Sequence, residues 1–354
     1  MQITNQLIEK TIEKCNAHMR TNGKSADTRS AYISAIRRFL NWQRANWQEV
    51  SGLDHEKRME GFISSLANDK KRPITFGTQN QYFNAILYFY REFQGKPITK
   101  IKAARAPRSQ RIFNVLTIEQ TRSLLCALPV YPSNINLIGK LLYGTGMRID
   151  ECLSLRVKDL LFDRCLIAVQ EGKGDKARFV DMPKSVVIEL RQQLDYARSQ
   201  FDEDRSLKRN GVYLPHGLGS KYPSYATSWE WYWAFPHFQE GLDHDDNIKR
   251  RYHVYDFDVQ KAFRTIRRQL LLPEYTTPHA LRHGYATCYL KNLLVETKKA
   301  GVDVPDLYGF CRDALRKKLG HVSVQTTDTY IHLVTDRSSI MDCSPLDILA
   351  EERD

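Results

Sequence analysis

The stretch TKIKAARAPRSQR, Thr99 to Arg111, divides this chain in two. It carries Lys100, Lys102, Arg105, Arg108 and Arg111 and no acid. Pro107 lacks an amide hydrogen and has a fixed φ, so no single helix runs through it. The segment reads as an exposed basic linker. It is either solvated or a strap along a polyanion, where lysines and arginines displace counterions. The parts on either side must then bury cores of their own, and 354 residues allow that.

Residues 1–98 read as helices. Tyr32, Ile33, Ile36, Phe39 and Leu40 recur at helical spacing, as do Met59, Phe62, Ile63 and Leu66. An earlier helix covers Leu7, Ile8, Ile12 and Cys15, and Thr78 can cap one carrying Ile86, Leu87, Tyr90 and Phe93. The product is a bundle of four or five short helices. After a linker over 99–114, a second domain runs over 115–354. Thr117 with Gln120 makes a capping-box start. CLIAVQEGKGDKARFVDM reads as strands Cys165–Gln170 and Ala177–Met182 around a glycine-rich turn. Helices are expected to dominate from Pro183 onward. The fold class is therefore mainly α with a small antiparallel sheet, in two domains.

The formal net charge is +12, which favours a polyanionic partner, nucleic acid before an anionic membrane surface. The 7 cysteines are scattered with no Cys-x-x-Cys pair, arguing against a disulfide framework or a cysteine zinc site and for a reducing cytoplasm. The start MQITNQLIEK lacks the apolar core of a secretory signal, and no apolar run approaches a membrane span.

Three clusters carry chemistry. In GTGMRIDECL, Gly144 and Gly146 break one helix and Arg148 starts the next, where its fork can grip a phosphate. In EGKGDK, Lys173 sits between glycines at a hairpin tip. In TPHALRHGYATCYL, Thr277 and Pro278 start a helix on which His279 and Arg282 share a face. His283, one turn from His279, raises a His-x-x-x-His metal pair, but the adjacent arginine repels a cation. GHVSVQTTDTYIHL then adds His321 and Tyr330. Two arginines, a lysine, two histidines and a tyrosine, with no Asp-rich site or Walker loop, suit phosphoryl transfer without metal. Guanidiniums neutralise charge on the phosphodiester oxygens, a tyrosine attacks, and a lysine or histidine protonates the leaving oxygen. A free phenol near pKa 10 needs help, and a cationic pocket is expected to favour the phenolate.

The order Arg148, Lys173, His279-x-x-Arg282, Gly320-His321 and Tyr330 resembles the catalytic signature of the tyrosine site-specific recombinases, with Tyr330 nine residues after His321. Glu151 matches a supporting acid of that family. The likeness covers nearly the whole chain. It implies a helical core-binding domain and a catalytic domain clamping DNA, and a 3′-phosphotyrosine at Tyr330. It implies transition-state stabilisation by Arg148 and Arg282, and Lys173 as general acid assisted by His279 and His321. It implies no cofactor, neither metal nor ATP, and a homotetramer on two DNA sites in the bacterial cytoplasm, associated with the nucleoid. The tail after Tyr330, with Leu346, Ile348 and Leu349, packs on a neighbouring protomer or frays.

FGTQNQYFNAILYFYREFQGKPI, GTGMRIDECLSLRVKDLLFD, KYPSYATSWEWYWAFPHFQE, KRRYHVYDFDVQKAF and SPLD look like integron integrases within that family. The aromatic segment, about 215–255, lies where those enzymes carry an insert that holds extrahelical bases of folded single-stranded sites. Trp229, Trp231, Trp233, Phe235 and His253 would then stack on bases, or else form a local core. A second departure is the long stretch between Arg282 and His321, with an extension about 291–318. It reads as a lengthened helix-turn-helix with Gly301 and Pro305 near the turn: a surface extension, a protomer contact, or a change that displaces His321 and Tyr330. Three functions follow: an integron-type recombinase, a duplex-specific phage- or Xer-like recombinase, and a catalytically impaired DNA-binding relative.

Overall fold

The computed structural model describes residues 4–70, 72–107, 115–170, 178–215, 217–242, 248–301, 307–320, 327–328 and 330. The chain forms two compact units, Met1–Ile112 and Phe113–Asp354.

The first unit is helical: α1 (Asn5–Thr21), α2 (Ala26–Ala45), the short α3 (Trp47–Val50), α4 (His55–Asn68) and α5 (Phe76–Tyr88), which continues into a π-helical turn at Phe89–Phe93. Side-chain oxygens of Thr4, Ser25, Asp54 and Thr75 cap α1, α2, α4 and α5. Each such cap contributes about 1 kcal/mol. Thr75, not Thr78, is the α5 cap; the Thr78 amide is the donor it satisfies. The core unites Ile8, Ile12, Cys15 and Met19 of α1 with Ile36 and Phe39 of α2, and with Met59, Phe62, Ile63 and Leu66 of α4. The periodic positions thus face inward, except Leu7, which is 41% exposed.

The described part of the basic stretch is not a free linker. Ile98, Ile101 and Ala103 pack on the first core, while Lys100 and Lys102 between them are exposed. The amides of Thr99, Lys102 and Ala104 donate to Glu56, Glu60 and Ser64 along α4. Buried Gln79 of α5 bonds both the Ala104 carbonyl and the Ala106 amide. Alternation at a period of two explains why this run has no helix signal: it lies extended, one face docked and one face basic.

The second unit starts with α6 (Ile118–Ala127), which has the Thr117–Gln120 capping box, and α7 (Ile135–Thr145) and α8 (Ile149–Leu153) follow. Strands β1 (Leu160–Leu161), β2 (Leu166–Val169) and β3 (Arg178–Asp181) form an antiparallel sheet in that order, with Ile167 opposite Val180. Then come α9 (Val187–Ser206), α10 (Leu218–Lys221), a hairpin of β4 (Pro236–Leu242) and β5 (Lys249–His253), α11 (Asp256–Gln269), α12 (Pro278–Lys299) and α13 (Leu307–Leu319). Helices dominate after Pro183 as expected, and the β4–β5 hairpin is the one addition the sequence did not indicate among the described residues. Its long-range partners hold it: Arg251 of β5 forms a buried ion pair at 2.6 Å with Asp204 of α9, and Asp204 also accepts from Tyr232 and Arg209. The nearly all-buried α7 packs against α12 at the centre of the unit. That contact positions the site described next.

Candidate active site

Gly146 ends α7 in the left-handed region, at φ 67°. A Cβ there would lie 2.3 Å from a ring carbon of Tyr285 and 2.9 Å from Leu319. Only glycine lets the chain turn this close to α12 and α13. Two residues on, Arg148 stands at the N-cap of α8, and its amide donates to Glu151 Oε2 at 2.7 Å. Its Nη1 donates to Glu151 Oε1 at 2.7 Å and its Nη2 to the Gly320 carbonyl at 3.1 Å. The Arg148 side chain keeps 42% of its surface exposed.

Thr277 caps α12 and Pro278 occupies its first turn, so His279, Arg282 and His283 fall in the first two turns. Arg282 is 1% exposed. Its Nη1 donates to the Gly146 carbonyl at 2.6 Å and its Nη2 to the Leu319 carbonyl at 2.8 Å. The guanidinium therefore joins the ends of α7 and α13 while lying 3.9 Å from Glu151. Arg178 of β3 completes the cluster with two bonds to Glu151, at 2.9 and 2.6 Å.

Three guanidiniums thus face one carboxylate. Burial would raise the Glu151 carboxyl, but hydrogen bonds from Arg178 and Arg148 override it and hold its pKa at about 2. Burial lowers Arg282 to about 10, with the Arg148 charge adding to it. Three guanidiniums against one carboxylate leave an excess of positive charge, which a phosphate would relieve.

Tyr330 is 2% exposed. Its hydroxyl lies 2.6 Å from His283 Nδ1. The rings of His283 and His279 meet edge to face at 4.5 Å. Burial pushes the Tyr330 phenol up to about 12, and Arg282 pulls it partly back. Arg282 favours the phenolate, as expected of a cationic pocket, but burial outweighs it and the group is a protonated phenol. His279 keeps an exposed edge, yet burial, then Arg282 and Arg148, lower its pKa and favour the neutral ring.

Arg148, Glu151, His279, Arg282 and Tyr330 come together. Lys173 and His321 lie outside the described residues, as do Arg108 and Arg111 and the tail residues Leu346, Ile348 and Leu349. Two members of the cluster were not assigned to it from sequence. Arg178 shares the inward face of β3 with Val180, which a period of two would have indicated. His283 was weighed only as a metal partner of His279, although its helical position pairs it with Tyr330.

The aromatic segment divides. Trp233 is 3% exposed, with the Arg156 guanidinium 3.5 Å above its ring and the His253 ring at 4.8 Å. Burial holds His253 at a pKa of about 4. Phe235 is fully buried. Of the two alternatives open for these rings, base stacking or a local core, their burial favours the core, because the hairpin folds over them. Trp229 packs on Phe201 and Tyr232. Trp231 instead stacks on Tyr225, which stacks on Tyr222, with Lys158 4.5 Å above the Trp231 ring. Tyr222 and Tyr225 are 40% and 37% exposed.

Comparison with known proteins gives this arrangement a context. Residues 114–299 match the Phage integrase family, and residues 11–100 match the Phage integrase, N-terminal SAM-like domain. The chain belongs to the phage integrase family. It is a tyrosine recombinase, a DNA strand-exchange enzyme with a SAM-like core-binding domain and a catalytic integrase domain. An integrase/recombinase of Escherichia coli is 34% identical over 92% of this chain and 90% of its own length. Tyrosine recombinase XerA of Thermococcus kodakarensis is 28% identical over 92% of this chain and 91% of its own. Two solved structures share the fold at a TM-score of 0.54. One is XerH recombinase bound to palindromic difH substrate, 15% identical over 94% of this chain and 82% of that chain. The other is a lambda integrase dimer bound to a COC′ core site, 13% identical over 94% and 98%. Among the described residues of this integrase, no helix is long and apolar enough to cross a membrane.

Proposed function

We propose that this recombinase is an integron-type integrase that acts through Tyr330. The hydroxyl of Tyr330 attacks a phosphodiester, forms a 3′-phosphotyrosine and releases a 5′-hydroxyl. Arg148 and Arg282 neutralise the oxygens of the transition state, and Glu151 with Arg178 holds the two arginines apart and oriented. Lys173 protonates the leaving oxygen, assisted by His279 and His321. The phosphotyrosine keeps the bond energy, so rejoining needs neither ATP nor metal. The observation that carries this reading is the placement of the Tyr330 hydroxyl against α12, 2.6 Å from His283 Nδ1 and so next to Arg282, whose guanidinium belongs with those of Arg148 and Arg178 around Glu151. An oligonucleotide nicked beside its cleavage site tests it. Wild-type protein should become covalently attached and Tyr330→Phe should not; no wild-type adduct sinks the assignment.

The integron part rests on the aromatic insert. The exposed edge of the Tyr222–Tyr225–Trp231 stack, flanked by Lys158 and Lys221, offers faces to unpaired bases. The helical unit and the basic face of its strap, Lys100, Lys102 and Arg105, then hold the DNA backbone, continued by Arg108 and Arg111. The catalytic part runs over 115–354, and a homotetramer spans two sites in the cytoplasm. The similarity to XerA over most of both chains supports a second reading, a preference for duplex sites. Affinity for a hairpin with extrahelical bases, set against its perfect duplex, separates the two. Trp231→Ala should weaken hairpin binding about tenfold or more, since one stacked base contributes about 1–3 kcal/mol, and spare the duplex. Equal wild-type affinities would favour the duplex reading.

A further inference from the structure

We propose that His283 is the base that takes the Tyr330 proton during strand cleavage; this rests on Tyr330 being the nucleophile. The contact is direct: His283 Nδ1 and Tyr330 Oη are 2.6 Å apart. Two features of the site make a proton acceptor necessary. The phenol is buried and protonated at neutral pH, so attack must be accompanied by loss of its proton. The guanidiniums of Arg148, Arg178 and Arg282 cannot accept one, having no free lone pair. Glu151, the carboxylate among them, is bonded to both Arg148 and Arg178 and stays ionised to about pH 2, far too weak a base.

His283 is suited by position. It sits one helical turn after His279 on α12, a helix anchored at its start by the Thr277 cap and clamped through Arg282 to the Gly146 and Leu319 carbonyls. The ring is therefore carried by a rigid element, and the edge-to-face contact with His279 limits its rotation. With Nδ1 unprotonated, the ring accepts from the Tyr330 hydroxyl and aims that oxygen. In the step itself the bond from Tyr330 Oη to phosphorus forms and the bond from phosphorus to the 5′ oxygen breaks. The phenol proton passes to His283 Nδ1, and the 5′ oxygen takes a proton from the acid assigned to Lys173. Rejoining runs the transfers backward, and His283 returns its proton to Tyr330.

The test measures covalent adduct formation in the full chain on two nicked substrates. One has an ordinary 5′ oxygen; the other has a bridging 5′ sulfur, a leaving group that needs no proton. The titratable and charged neighbours are His279 and Arg282 on α12, Arg148 and Glu151 on α8, Arg178 on β3, and the Arg312–Asp328 pair beside Tyr330. Wild-type adduct formation should rise with pH, because a base acts only in its unprotonated form. His283→Ala should be slower by about a hundredfold at neutral pH on both substrates. The deficit should narrow in alkali, and added imidazole should restore part of the rate. His283→Asn can accept the hydrogen bond but not the proton, so it should stay slow while binding DNA normally. Rescue of His283→Ala by the sulfur substrate would put His283 on the leaving group and overturn the proposal. A wild-type rate and pH profile in His283→Asn would also overturn it, leaving a role in positioning alone. If wild-type protein and Tyr330→Phe behave alike, the nucleophile assignment itself fails and takes the base with it, whatever the His283 variants do.

Discussion

Glu151→Gln is the most informative single change apart from those at Tyr330. The substitution keeps the side-chain shape and removes the charge that three arginines share. Folding lowers the Glu151 pKa from 4.5 to about 2. Each tenfold change in proton affinity is about 1.4 kcal/mol, so the ionised carboxylate stabilises the second unit by about 3 kcal/mol at neutral pH. The side chain is only 12% exposed, so solvent screens little of this. Because the folded pKa is depressed, this stability is present above pH ~4.5 and is lost as pH falls toward ~2, with roughly half remaining near pH 3. Hydrogen exchange under increasing urea reads the two units separately. Peptides of α7 and α12 should show Glu151→Gln destabilised by about 3 kcal/mol at pH 7 and by about half that near pH 3. Peptides of α2 and α5, in the other unit, should not change. A loss under about 0.5 kcal/mol at pH 7 would refute the reasoning, as would a loss that is the same at pH 3. Either result would mean that the arginines do not depend on this carboxylate.

Gly146→Ala should destabilise the same unit by about 2–4 kcal/mol, from the left-handed φ and the clash with Tyr285; thermal unfolding reads the loss, and an unchanged melting temperature contradicts the close approach. Arg282→Lys retains one charge but cannot bond two carbonyls, so adduct formation should fall about a hundredfold or more with DNA affinity nearly unchanged; single-turnover rates at saturating DNA measure it. Replacing Lys100 and Lys102 together by Gln should reduce the slope of log affinity against log salt by roughly 2, and a slope equal to wild type would place both lysines off the DNA. Trp233→Ala should lower the unit's stability by about 3–5 kcal/mol, whereas Trp231→Ala should cost about 1 kcal/mol or less; chemical denaturation separates core from surface.

Local features were legible in the sequence. The α1, α2 and α4 stripes, the Thr117–Gln120 box, the Thr277–Pro278 start and the β2–β3 strands depend on neighbours a few residues away, and periodicity and capping report such neighbours directly. The order of Arg148, His279, Arg282 and Tyr330 was legible for another reason: it resembles a family signature, which can be read from the chain without knowing which elements carry it. The rest depends on contacts between distant residues. The β4–β5 hairpin is held by Asp204, which precedes it by a whole segment. Trp233 and His253 look like any exposed aromatics until the hairpin covers them. The strap at residues 98–106 shows its binding face only against α4 and Gln79. The phenol of Tyr330 is raised by burial more than its arginine lowers it, because desolvation is set by everything packed around it. By itself the sequence determined which groups are present and in what order. Tertiary structure decided that Arg178 shares Glu151, that Arg282 ties α7 to α13, and that His283 meets a hydroxyl 47 residues away, since only the packing of α12 brings those atoms within hydrogen-bond reach.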